Sequence, residues 1–81
     1  MKIIPDKRLF WFLKEGSTLD LAESSVLDMY VQQVISRGRT EDVKTLLKNV
    51  GSEQFKQVFV KIKRFLPDEV SMFWEDFIGN H

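Results

Sequence analysis

Apolar positions recur at three- and four-residue spacing along most of the chain, and one stretch carries the widest apolar arc. On a helical wheel Leu27, Tyr30, Val31, Val34 and Ile35 share an arc roughly 140° wide at about 100° per residue. Ser25, Asp28, Gln32 and Ser36 fall opposite, with Val26 and Met29 on the fringe. A helix that apolar needs neighbours on more than one side. The spacing predicts a central helix over about residues 22–37, with shorter amphipathic helices packed around it.

The flanking pattern supplies four such helices. The first opens at Pro5-Asp6 and runs to about Lys14, with Leu9, Phe10, Phe12 and Leu13 apolar and Gly16-Ser17 as its stop. The central helix has two suited caps, Asp20 and Ser24, and ends at Arg37-Gly38, where a left-handed glycine is expected. Thr40 caps the third, with Glu41 and Asp42 in the first turn where the helix dipole favours acids; Val43, Leu46, Leu47 and Val50 follow before Gly51. Ser52 caps the fourth, whose face is Phe55, Val58, Phe59 and Ile62, and Phe65-Leu66-Pro67 breaks it. The fifth starts at Pro67-Asp68-Glu69 and presents Val70, Phe73, Trp74, Phe77 and Ile78 before Gly79. The expected fold is all-α: one domain over residues 1–81, a compact bundle of about five short helices. Charges of the wrong sign sit at two helix ends: Lys7 and Arg8 begin the first helix, and Glu75 and Asp76 close the last. Antiparallel packing of those two helices would cancel both penalties and join Trp11, Phe12, Phe73 and Trp74 in one aromatic cluster.

Composition narrows the class. A chain of 81 residues is near the size at which a single core is just sufficient. Its seven phenylalanines, two tryptophans and one tyrosine supply the buried area. With no cysteine, disulfides, thiolate metal sites and thiol nucleophiles are excluded. The longest apolar run, Leu9 to Leu13, is far too short for a bilayer, and the first five residues lack the pattern of a signal peptide. The expectation is a cytoplasmic protein with no membrane partner. Net charge is zero but unevenly spread: residues 1–14 carry +3, 15–42 carry −4, 43–64 carry +5 and 65–81 carry −4. An electrostatic partner meets alternating patches rather than one basic face.

Candidate chemistry is sparse. The one histidine, His81, is the last residue and reads as a tail. Asp6, Asp20, Glu41, Asp42, Asp68 and Glu69 are explained as caps and dipole partners, and Glu75 and Asp76 diverge by about 100° on a helix. There is no phosphate loop, zinc-protease motif or nucleophile elbow. No catalytic, cofactor or metal residue is expected. The third and fourth helices, joined at Gly51, invite comparison with a DNA-binding helix-turn-helix over residues 41–64. Lys44, Lys48, Gln54, Lys56, Gln57 and Lys61 form the candidate surface for a partner or for DNA. Leu47 is bulky where that motif needs a small residue, Gln57 is polar where it needs an apolar one, and the acidic flanks repel phosphate. An ordinary helical hairpin with lysines on its wet face explains the same residues more simply. Met29 and Met72, each among polar neighbours, fit either a core edge or an adaptable binding surface.

One resemblance adds to this. The order Leu9-Phe10-Trp11, Leu19-Asp20, Val34-Ile35-Ser36-Arg37-Gly38, Glu41-Asp42-Val43, Leu46-Leu47, Gly51, Phe65-Leu66-Pro67 and Phe73-Trp74 resembles a family of small bacterial all-helical domains of unknown function. Members of that family tend to be encoded beside nucleotidyltransferase toxins of the AbiEii type. The resemblance implies a non-enzymatic, antitoxin-like module that binds such a toxin, and it carries no catalytic residue. Where the family often has serine before the proline, this chain has Leu66, which leaves Asp68 as the expected cap. The favoured expectation is therefore binding of another protein, with DNA-binding regulation second and self-association left open.

Overall fold

The computed structural model describes residues 1–79, and His81 lies outside the described residues. The order of elements is β1 (Lys2–Ile3), β2 (Leu19–Asp20), α1 (Ser24–Arg37), α2 (Thr40–Val50), α3 (Ser52–Ile62), a single 3-10 turn (Lys63–Phe65) and α4 (Asp68–Gly79). The protein is mostly helical, with four helices among the described residues where the spacing had pointed to five.

The central helix is where the apolar arc put it. The side chains that α1 buries are Leu27, Tyr30, Val31, Val34 and Ile35, and it packs against α3, α2 and β2. From α3 come Phe55, Val58, Phe59 and Ile62, and from α2 comes Leu46. Burying each such side chain stabilises the fold by about 1.5–3 kcal/mol. These three helices form the body of the molecule, and α4 lies outside it.

The expected first helix is absent, and the local bonds explain why. A segment of that length falls below the roughly 12–15 residues at which an isolated helix becomes marginal, so only packing could hold it helical. Asp6 does cap a single turn, its side chain accepting the Arg8 N–H at 2.8 Å and its carbonyl the Phe10 N–H at 2.9 Å, but the turn goes no further. Further along, Gln33 Nε2 donates to the Leu9 carbonyl at 2.7 Å, the acceptor that Leu13 N–H would use in an α-helix. Leu13 N–H donates to Phe10 at 3.1 Å instead. The segment becomes a loop between two short antiparallel strands, with Lys2 opposite Asp20 and Ile3 opposite Leu19. It buries Leu9 and Phe10 and leaves Trp11 and Phe12 exposed.

The expected pairing of the first and last helices is absent as well. Lys7 pairs with Glu15, Arg8 pairs with Asp42 at 2.7 Å, and Glu75 pairs with Lys63 at 3.4 Å. The rings form two groups: Phe10 stacks on Tyr30 and touches Phe12, which meets Trp11. Trp74 meets Phe55, Phe73 and Phe77.

Helix ends differ from expectation in detail. Asp20 turns the chain by accepting the Ala22 N–H at 3.0 Å, Ser24 is the first residue of α1, and Glu23 stands at its N-cap. Arg39 rather than Thr40 is the N-cap of α2, and its N–H is answered by Asp42 Oδ2 at 2.7 Å. Likewise, the Pro67 carbonyl accepts the Ser71 N–H, so Asp68 sits in the first turn of α4 rather than before it. Gly38 is extended, with φ −79° and ψ 164°, not left-handed. Glycine is needed there for space, because a Cβ would sit 2.4 Å from the Val34 carbonyl oxygen. Gly51, at φ +87°, is the joint that requires a left-handed backbone, and it both ends α2 and begins α3.

Candidate functional site

α4 is attached differently from the other helices. Of its six large apolar residues only Trp74 is buried. Val70, Phe77 and Ile78 are partly buried against the core, while Met72 and Phe73 stand 68% and 62% exposed. Trp74 fills the space beside Phe55, and the helix leans on the body through that ring. Because α4 does not close onto α2, an open groove of about 590 Å³ runs between them. Its α1–α2 wall is Ile35, Gly38, Val43 and Leu47, and its α4 wall is Val70, Phe73, Trp74 and Phe77. The surface inside is mainly apolar, of the size and character of a ligand or helix-binding cleft.

The rims are charged and of opposite sign. Arg39 and Lys44 stand on the α2 side and Glu69 on the α4 side. Glu69 and Phe73 also border a shallower hollow on the outer face of α4 with Met72, Glu75 and Asp76, so they form the crest between the two. Asp68, Glu69, Glu75 and Asp76 are the charges of α4, and the helix has no base. Glu75 and Asp76 sit near its C-terminus, where the dipole disfavours acids by about 0.3–1 kcal/mol each. Lys63 answers Glu75, whereas Asp76 has no ion pair among the described residues.

A second electrostatic node holds the amino-terminal loop against the start of α2. Arg8 Nη2 donates to both oxygens of Asp42, at 2.8 and 2.7 Å. The Arg8 guanidinium and the Arg39 N–H together hold the Asp42 carboxyl below its ordinary range. The same pair raises Arg8. Nearby, burial pushes the Tyr30 phenol up. This node anchors the loop and contributes no wall to the groove.

The six residues singled out from sequence lie on different edges. Lys44 lines the groove and pairs with Glu41 at 3.8 Å, and Lys48 follows one turn later on α2. Gln54, Gln57 and Lys61 share one ridge of α3 by their spacing, with Lys56 on another. Lys61 is engaged by α1: its Nζ lies 3.1 Å from Asp28 and 3.3 Å from Ser24 Oγ. Gly51 alone joins α2 to α3, where a helix-turn-helix uses a turn of three or four residues. The two methionines divide: Met29 is a partly buried core edge, and Met72 is exposed beside Phe73.

Sequence reasoning took Val43, Leu47, Val70, Phe73 and Phe77 as core, and so missed the groove they line. The available signal was the excess of apolar residues on the last helix beyond what a single contact stripe accommodates. No three or more His, Asp or Glu side chains gather as a metal site among the described residues, and none of the described helices is long and apolar enough to cross a membrane. No family model, curated protein or solved structure matches the chain.

Proposed function

We propose that the chain is a protein-binding module that acts by association rather than catalysis, seating part of its partner between α2 and α4. The observation that carries this reading is Phe73, a large ring left mostly in water on the lip of an apolar groove. Exposed apolar surface of that kind, rimmed by charge, marks an interaction site more often than a free surface. Covering Phe73, Met72 and the groove walls would supply the aromatic centre that dominates binding energy in protein interfaces.

The resemblance described above supports a finer form: an antitoxin-like cytoplasmic partner of a nucleotidyltransferase toxin. It would work by masking the toxin's surface sterically, with the alternating charge blocks steering the encounter. DNA binding through residues 41–64 gains no support from the one-residue joint at Gly51 or from the engagement of Lys61 by Asp28.

The test is co-expression with a nucleotidyltransferase of that toxin type, comparing the wild type with Phe73→Glu. The expected result is a complex that survives purification with the wild type and is lost with the variant. Salt-sensitive retardation of promoter DNA by the protein alone, with no protein complex formed, would replace this reading with the regulatory one.

A further inference from the structure

The charges around the groove describe the face of the partner that fills it. Glu69, Phe73 and Asp76 follow one another at four- and three-residue spacing, so they make one ridge along α4 with a ring between two carboxylates. Neither carboxylate has an ion pair among the described residues. Asp76 in addition lies in the last turn, where the helix's own dipole repels it. A cation arriving from outside would relieve both conditions at once. Across the groove, Arg39 and Lys44 present the opposite sign. Between the rims, the apolar walls run along α4, whose 12 residues span about 18 Å at 1.5 Å per residue.

We propose that the groove between α2 and α4 takes an amphipathic helix of a partner protein. Its apolar face fills the groove, bases line the edge facing Glu69 and Asp76, and carboxylates line the edge facing Arg39 and Lys44. This deepens the protein-binding reading above and rests on it. A second copy of this chain fits poorly. Its own α4 would set four carboxylates against the same acidic crest. The exposed face of α3 offers one large apolar residue, Val60, and the other exposed rings, Trp11, Phe12 and Phe65, sit on the loop and the 3-10 turn rather than on a helix that could lie in the groove.

Two synthetic helical peptides of about 14 residues, four turns long, separate the possibilities. They share an apolar stripe. One carries lysines on one edge and glutamates on the other, and the second carries glutamates on both. The full-length protein is titrated with each while backbone amide resonances are followed. The two-signed peptide is expected to bind, shifting Val43, Leu47, Val70 and Phe73, and to weaken by about tenfold or more in Phe73→Ser. Its affinity falls as salt rises. The double variant Glu69→Lys with Asp76→Lys, both at exposed positions, is expected to fold normally and to reverse the preference. Equal binding of the all-acid peptide, or a groove occupied by a second copy in sedimentation, would overturn the stated chemistry while leaving protein docking in place. Shifts from neither peptide, with native partner protection also absent from α2 and α4, would overturn both.

Discussion

Trp74 meets Phe55 edge-on, with ring centroids 5.5 Å apart and planes at 70°. Trp74 is the single α4 side chain drawn fully out of water, so its ring is the main anchor of the helix, with Val70, Phe77 and Ile78 packed beside it. Its neighbour Phe73, about 100° round the helix, touches the Trp74 ring edge-on at 5.3 Å and leaves most of its own surface in water.

These adjacent rings therefore predict unequal outcomes. Trp74→Ala removes a buried aromatic and should cost about 3–5 kcal/mol, a large part of the stability of a small domain. Phe73→Ala loses only a mostly exposed ring and its edge contact with Trp74, and should cost about 1 kcal/mol. Urea unfolding checks both. Equal midpoints for the two variants would mean that α4 is not held by Trp74.

The Arg8–Asp42 pair predicts an acid limb in the stability profile. The folded Asp42 carboxyl lies below its ordinary value of 3.8 because of Arg8 first and the Arg39 N–H second. A depressed folded value means that the native state releases this proton more readily. Its contribution is present above the unfolded value and is lost as pH falls through the folded one. In Asp42→Asn that share of the acid loss should disappear, and stability at neutral pH should drop. Tyr30 gives the opposite limb: burial raises it above 10.0, so its contribution is intact below that value and is lost as pH climbs through the folded one. Denaturant midpoints measured across the pH range read both limbs.

Two glycines should resist alanine for different reasons. At Gly51 the backbone angle of +87° disfavours any side chain, with a cost of about 1–3 kcal/mol. At Gly38 the angle is ordinary, but a Cβ meets the Val34 carbonyl oxygen at 2.4 Å and the Asp42 Cβ at 3.0 Å, an overpacking penalty of about 1–3 kcal/mol. Thermal unfolding of Gly38→Ala and Gly51→Ala should show both losses. A neutral Gly38→Ala would show that α1 and α2 can part without penalty.

How far the sequence carries depends on whether a residue's role is set locally. The α1 face was legible because five apolar residues on one arc have no other place to go, and the same holds for Phe55, Val58, Phe59 and Ile62 on α3. Gly51 was legible as a joint because α2 and α3 meet there. The loop over residues 4–18 was not legible as a loop. Leu9, Phe10 and Leu13 satisfy a helical pattern, and the bond that undoes it comes from Gln33, 24 residues away. Gly38 is legible as an end but its extended backbone is not, since nothing in the sequence reports how closely the Val34 carbonyl and Asp42 approach it. Phe73 was the most misleading position. Helical spacing marks it as apolar but cannot say that the stripe on α4 is wider than the contact awaiting it, and that excess is what leaves the groove open.

The most direct test of the central claim is hydrogen exchange of the protein alone and in complex with the partner that co-expression retains. Protection gained by α4 amides from Val70 to Phe77 and by α2 around Val43 and Leu47, with α3 unchanged, is the predicted result. Protection confined to α3 and to the basic turn at Lys63 and Arg64 would contradict it.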